Sequence, residues 1–344
     1  MGLGFVLATD IVNAALTYYV RGKALMQTIQ DKPLLRILRE KEKTFPSGNQ
    51  QISEPIQGSL MGDVPGFFSG YSEDDQLQFT QSQNLLRAVF PWREMHAGLG
   101  ITWSELKKDG ISITENNKTS EHSDVEATRL TGLMENRLDD FAESWTRAQN
   151  LMLWKDGTQD AKVIPGLMSL LTDAPAAGTT GGLARAAYPF WQHRVNLNLQ
   201  ASAENQTLTR FFRSEIRQLR RYGGKPDYLL AGSKAIDAFE LEVQAKGVYT
   251  QTGFDKETNI GIGKIRVNGV GTVEYDPTLD DMGFSNRIYA IDRRRIQLMP
   301  MSGEKNKIVN PERPYNYMVF FRSITDTGGL VVRQLNANGV YAVA

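Results

Sequence analysis

Residues 123–157 read SDVEATRLTGLMENRLDDFAESWTRAQNLMLWKDG. Ser123-Asp124-Val125-Glu126 matches a capping box, in which the serine hydroxyl and the glutamate carboxylate each accept from an otherwise unpaired backbone N–H. Apolar residues then fall at Leu130, Met134, Leu138, Phe141, Trp145, Ala148 and Met152. Steps of three and four keep these side chains on one stripe of an α-helix. Lys155 places a cation at the end of the pattern, and Gly157 supplies a stop. The spacing predicts one helix over about residues 123–156, roughly 45 Å long at about 1.5 Å per residue. Globular helices average about 10–14 residues. A helix this long argues for an elongated body rather than a compact enzyme.

Toward the N-terminus the pattern loosens. Residues 10–40 read as helical, with Ile11, Ala15, Tyr18 and Tyr19 at helical spacing. Leu34, Leu35 and Leu38 resume it after Pro33, which separates the two pieces. Phe45-Pro46-Ser47-Gly48 is a turn. Residues 49–84 are polar and glycine-rich. Residues 50–60 suit an extended strand, Asp63 to Ser72 a mobile tip with Phe67, Phe68 and Tyr71, and Asp75 to Thr80 a return strand. Such a segment buries too little apolar surface to fold alone and needs something to pack on. Residues 85–114 read as extended, anchored by Trp92, Ile101, Trp103, Ile111 and Ile113, with a short helical turn from Ser104 and a tight turn at Asp109-Gly110.

Beyond the long helix the elements shorten. Ala174 to Gly182 is a small-residue loop that reads as flexible, and Tyr188-Pro189-Phe190-Trp191 follows it. Thr207 to Tyr222 is an arginine-rich helix, Tyr228 to Ala231 a short apolar strand, and Ser233 an N-cap for a helix to Ala245. The remainder reads as strands over Lys264–Val267, Thr272–Tyr275, Arg287–Ile291, Arg295–Met299, Tyr315–Arg322, Leu330–Leu335 and Val340–Val343. The fold class is therefore α+β. One long helix and several strands form a layer pair, and an α/β module is inserted between that helix and the final strands.

Composition narrows the function classes. The 344 residues contain no cysteine, which excludes disulfides, thiol catalysis and cysteine metal sites. Lys plus Arg and Asp plus Glu are both 39, without the basic excess of a free nucleic-acid binder. The apolar start lacks a basic n-region, and no apolar run approaches the ~20 residues needed to span a bilayer. The expected origin is cytoplasmic, with no membrane partner.

Motifs for chemistry are missing. His96, His122 and His193 stand in no metal-binding spacing. Gly261-Ile262-Gly263-Lys264 lacks the spacing of a phosphate loop and reads as a hairpin turn. Asp139-Asp140 reads as solvated surface, and Asp280-Asp281 as a turn that could instead bind a cation. Arg210, Arg213, Arg217 and Arg220 share one helix face with Arg221 beside it, and Arg293-Arg294-Arg295 forms a second basic cluster. Both readings stay open for these arginines: a solvated face, or contact with an acidic neighbouring subunit or DNA. No catalytic, cofactor-binding or metal residue is assigned, so a non-enzyme is expected.

Taken in order, the pieces resemble the major capsid proteins of tailed bacteriophages, which share the Hong Kong 97-like fold. The similarity is carried by the order of arm, extended loop and long "spine" helix. It is also carried by Ile164-Pro165-Gly166-Leu167, the run Gly182 to Trp191, Gly224-Lys225-Pro226-Asp227-Tyr228-Leu229-Leu230-Ala231-Gly232, and the ending Gly329 to Gly339. The resemblance implies an N-terminal arm over 1–48, an extended two-stranded loop over 49–84 and a peripheral domain over 85–197 containing the spine. It further implies an axial domain over 198–300, and return strands of the peripheral domain over 301–344. Leu130, Met134, Leu138, Phe141, Trp145 and Met152 would be the spine core.

The implied function is that of a structural subunit of an icosahedral phage head. Copies would form hexamers and pentamers that enclose double-stranded DNA, with arm and loop lapping over neighbours. The implied partners are further copies of the chain, a scaffolding protein, a portal, decoration or cement proteins, and DNA touched non-specifically. The scaffolding segment that some members carry ahead of the arm is not seen, which implies a separate scaffold or a removed prosequence. The implied location is the virion, after assembly in the host cytoplasm. An encapsulin-type cellular shell and a soluble α/β enzyme or binding module are the alternatives.

Overall fold

A computed structural model describes residues 29–58, 67–76, 85–108, 124–245, 266–267, 271–309 and 319–344. In chain order the helices and strands begin with α1 (Pro33–Glu40), β1 (Ile52–Gln57), β2 (Leu85–Phe90), β3 (Arg93–Thr102), α2 (Trp103–Lys108) and α3 (Asp124–Trp154). Then come α4 (Leu167–Leu170), β4 (Thr179–Thr180), β5 (Leu183–Ala184), β6 (Arg194–Leu199), α5 (Thr207–Arg220), β7 (Tyr228–Ala231) and α6 (Ser233–Ala245). The remainder is β8 (Arg266–Val267), β9 (Gly271–Tyr275), α7 (Pro277–Asp281), β10 (Arg287–Ile291), β11 (Ile296–Pro300), β12 (Lys307–Val309), β13 (Val319–Val332) and β14 (Gly339–Val343). These elements divide into two compact units. One holds Met95–Gln149 with Gly303–Asp326; the other holds Asp31–Glu94, Asn150–Ser302 and Thr327–Ala344.

The predicted long helix forms as α3, 31 residues long. In the first unit its stripe is half-buried at Leu138 and Phe141 and buried at Trp145, whose indole N–H donates to Asn306 Oδ1 at 3.0 Å. Gln149 donates to Asp326 Oδ2 at 2.8 Å. The side chains of Leu130 and Met134 and the capping residue Ser123 lie outside the described residues. Ala148 departs from the expectation and is exposed. The sheet of this unit is built on β13, which pairs with β3 and, antiparallel, with β12.

The last turn of α3, from Asn150 to Trp154, belongs to the second unit and is buried around most of its circumference: Asn150, Met152, Leu153 and Trp154 are all inside. Gly157 stops the chain with φ +88°, a left-handed conformation that favours glycine. Gly166 then passes so close that a Cβ there would lie 2.4 Å from the carbonyl oxygens of Leu153 and Lys155. Only glycine lets this backbone cap the helix end, where its N–H donates to Lys155 O at 2.8 Å.

The core of the second unit is a six-stranded sheet in the order β6-β14-β10-β7-β9-β8. β7 and β9 run parallel with α6 between them in sequence, and β6 and β14 are also parallel. Side-chain alternation sorts the faces. Leu229, Ala231, Ile288, Ala290, Tyr341 and Val343 join Leu208, Phe212, Ile216 and Leu219 of α5 and Ala235 and Phe239 of α6 in one core cluster. The opposite face is also inside: Leu230, Tyr289, Val340 and Ala342 are buried, and Trp154 meets Tyr289 edge-on at 4.9 Å. With both faces covered, the strands read as unbroken apolar runs.

Three expectations are corrected. The strand pairing with β1 is β2, Leu85–Phe90, in the register Ile52↔Phe90 to Gln57↔Leu85, not Asp75 to Thr80; residues 77–84 lie outside the described residues. Residues 33–45 of the arm do not leave the subunit. Leu34, Ile37 and Leu38 are buried in the second unit, and Lys43 and Phe45 donate to Leu298 and Pro300 of β11. The predicted helical piece before Pro33 falls mostly on residues 1–28, outside the described residues. Finally, 301–344 do not all join the sheet built on β13: β14 lies between β6 and β10 in the six-stranded sheet of the second unit, paired along both of its edges.

α5 begins at Gln206 in a left-handed conformation without a side-chain cap of its own. Its free N–H groups are met instead by the buried Glu242 of α6, which accepts from Leu208 N at 2.7 Å and Thr209 N at 3.0 Å. A carboxylate at a helix N-terminus is favoured by both hydrogen bonding and the helix dipole. Glu242→Ala should therefore destabilise the second unit by about 2–3 kcal/mol, by orphaning those donors in the core. Chemical denaturation should show it as a lower midpoint with an unchanged slope. An unchanged midpoint would refute the capping role.

Candidate inter-subunit surfaces

The β1–β2 hairpin springs from a built root. Val89 N donates to Gly181 O at 3.0 Å, and a Cβ on Gly181 would lie 2.8 Å from Ala88 Cβ. The Phe190 ring lies against Gly58, where a Cβ would overlap its Cζ at 1.9 Å. The hairpin is thus pressed onto the run Thr179–Trp191, and two glycines make that approach possible.

That run overlaps the small-residue loop Ala174 to Gly182, read as flexible, and the structure corrects this reading. It is fastened by Arg185, 1% exposed, whose guanidinium satisfies acceptors from three sides. Its Nε donates to Thr180 Oγ1 at 2.7 Å, and Nη1 donates to Thr172 Oγ1 at 2.5 Å and Ala177 O at 3.4 Å. Nη2 donates to Ser169 O and Leu170 O, both at 3.0 Å, at the C-terminal end of α4. A cation there meets the negative end of the helix. Burial depresses the proton affinity of the guanidinium. Trp191 adds an indole N–H to Thr180 O at 3.0 Å.

His193 completes the node. It is buried, and its Nε2 lies 2.6 Å from Thr172 O, which assigns the proton to that nitrogen. Among the described residues no donor reaches Nδ1. Burial, reinforced by the Arg185 charge, holds its pKa down to about 4; the Thr172 carbonyl and Asp173 oppose this, and Asp173 is engaged by both Nη atoms of Arg287 at 2.8 Å. The unfolded chain takes this proton near pH 6.5, the folded chain only near 4. Stability contributed by the neutral imidazole is therefore fully present above pH 6.5 and lost as the pH falls toward 4, by on the order of 3 kcal/mol. His193→Gln should flatten the pH dependence of the melting temperature in that window. Parallel profiles for the two proteins would rule out this origin.

Two surfaces are exposed. The tip segment 67–76 presents Phe67, Phe68 at 95% exposure and Tyr71, followed by Glu73, Asp74 and Asp75. Asp75 Oδ2 accepts from Ser72 N at 2.8 Å, folding the acidic end into a turn. On α5, Arg210, Arg213, Arg217 and Arg220 are exposed, with Arg221 and Tyr222 just beyond. Arg221 stands 5.5 Å from the centroid of the Tyr222 ring. Phe212, Ile216 and Leu219 occupy the opposite, buried face.

The second arginine cluster is largely used within the subunit. Arg293 pairs with Glu40 and with Asp227 at 3.4 Å, and lies over the Tyr228 ring. Arg294 is exposed and pairs with the buried Asp292 at 3.3 Å, and Arg295 is half-buried. Asp280, weighed as a cation ligand, accepts from Ser233 N at 3.0 Å and from Tyr275 Oη at 2.7 Å. His96 is exposed, and His122 lies outside the described residues. Among the described residues no three His, Asp or Glu side chains are placed to hold a metal ion, and no helix is long and apolar enough to cross a membrane. Arg185 and Glu242, and Asn150 and Asp276 at the base of α1, were not singled out by sequence. Nothing in one sequence separates a buried polar side chain from an exposed one.

No model of a known protein family matches the chain, and no curated protein matches its sequence. Solved structures do match in three dimensions. A subunit of the cyanophage A-1(L) capsid aligns over 96% of this chain and 98% of its own, with TM-score 0.64 at 14% identity. The capsid of Myoviridae phage XM1 aligns over 94% and 95%, with TM-score 0.58 at 10% identity. The SrpI encapsulin of Synechococcus elongatus aligns over 99% and 96%, with TM-score 0.52 at 12% identity. Sequence this divergent, matched end to end in space, establishes that this chain has the α+β fold of phage capsid subunits, the Hong Kong 97-like fold.

Proposed function

We propose that the chain is the shell subunit of a tailed-phage head, a structural protein and not an enzyme. Copies form hexamers and pentamers that close an icosahedral shell around packaged double-stranded DNA. The observation that carries this reading is the near-complete, two-way coverage of a phage capsid subunit at TM-score 0.64. The exposed aromatic tip supports it, because large apolar side chains standing in water mark a surface meant for a partner. The balanced charge suits a wall that encloses DNA without gripping it. The shell subunit resides in the virion after assembly in the host cytoplasm. A scaffolding protein, a portal and decoration proteins are its further partners.

The encapsulin likeness favours one second reading, a cellular shell around protein cargo. Negative-stain imaging of the expressed full chain tests both readings: closed particles hundreds of ångströms across are expected, and a strictly monomeric protein under every assembly condition would refute them. Particles purified from the native host should contain nuclease-protected DNA. A protein cargo in place of DNA would decide for the second reading.

A further inference from the structure

We propose that the arginine face of α5 is the docking site for the acidic, aromatic loop tip of a second copy of this chain. The inference rests on the shell reading and adds to it a specific pair of surfaces. Arg210 and Arg213, Arg217 and Arg220 are three apart, and Arg213 and Arg217, Arg217 and Arg221 four apart, so like charges crowd along one face. Such pairs destabilise an isolated helix by about 0.2–0.5 kcal/mol each. Among the described residues no carboxylate pairs with Arg210, Arg213 or Arg217. The only acid within α5, Glu215, is buried on the far side, bound to Arg194 at 2.6 Å and 3.0 Å and to Tyr341. The face therefore holds concentrated positive charge with no counter-charge on its own helix.

The tip is its complement. Residues 67–76 contain three acids, three aromatics and no base, and every one of them is exposed. Arginine suits both halves of such a segment, since a guanidinium pairs with carboxylates and stacks on aromatic rings. Arg221 beside Tyr222 already makes the second kind of contact at the end of the same face. The two patches are different and complementary, which is the requirement for a head-to-tail contact that closes into a ring. DNA would also meet an arginine row, but it offers nothing to Glu73, Asp74 and Asp75. Docking between copies neutralises both patches, in a chain whose 39 basic and 39 acidic residues balance overall.

A charge-exchange experiment on the full chain tests the proposal. The tip variant is E73K/D74K/D75K, the face variant is R213E/R217E, and the third protein carries both sets. R213Q/R217Q serves as a milder face variant, and melting curves establish that each protein is folded. The fraction in particles is read by sedimentation and negative-stain imaging. Each charge reversal should cut assembly by about tenfold, R213Q/R217Q by less, and the double set should recover to within about threefold of wild type. Normal shells from either folded single-set variant would overturn the docking while leaving the shell reading intact. So would a combined variant no better than its parents, or a face variant that assembles normally but loses DNA. Failure of the wild-type chain to assemble at all would overturn the shell reading and this docking with it.

Discussion

Trp154→Ala should cost the second unit most of its stability. The indole is fully buried at the end of α3, edge-on to Tyr289, with its N–H donating to Asp276 Oδ2 at 2.9 Å. Removing a buried Trp costs about 3–5 kcal/mol in cavity and transfer terms. The loss also strips a donor from Asp276, a buried carboxylate whose pKa burial already raises and whose hydrogen bonds pull back down. Asp276 also caps α7 through Thr278 N at 2.9 Å and accepts from the backbone of α1 at Leu34. Taking one donor from this buried carboxylate adds about 1 kcal/mol, against a total domain stability of about 5–15 kcal/mol. The expected protein is largely unfolded at 37 °C or melts far below wild type. Trp154→Phe keeps most of the volume and isolates the hydrogen bond. An unfolding free energy within about 1 kcal/mol of wild type for the alanine variant would refute this account of the core.

Arg185→Met should be the second-largest loss. Methionine keeps an apolar stem of similar reach and removes every donor to Thr180, Thr172, Ala177, Ser169 and Leu170. Each buried acceptor left unpaired costs about 1–3 kcal/mol. Removing a desolvated cation offsets part of this. The net expectation is about 3–5 kcal/mol, with Arg185→Lys intermediate because one ammonium cannot span acceptors on three sides. The loss should be local first. The Val89 amide, which donates to Gly181 at the hairpin root, should lose hydrogen-exchange protection in the variant. Wild-type protection at Val89 would show that Arg185 does not hold the hairpin.

Legibility in the sequence followed the range of the interactions. α3 was readable because its stripe repeats at helical spacing over many turns, and a helix encodes its pattern locally. Ala148 fell off the stripe because spacing reports a face and not how far around the helix a core reaches. The runs at Tyr228–Ala231, Arg287–Ile291 and Val340–Val343 were readable as strands, but their order was not. Strands buried on both faces carry no alternation to say which neighbour they take. The hairpin partner was misplaced because Leu85–Phe90 is apolar enough to pass for body, while the Gly181 backbone it packs on lies far along the chain. Arg185 lay hidden among alanines and glycines, whose small side chains suggested looseness and in fact make room for a guanidinium. The arginine row on α5 was readable as a face, and the fold adds which side is exposed.

The place of β14 has a consequence for synthesis. A ribosome delivers residues 339–343 long after it has delivered β6 and β10, yet those two strands meet only through β14. A nascent or prematurely released chain therefore presents two raw strand edges, on β6 and β10, and its α5 and α6 wait for Tyr341 and Val343 before their shared core can close.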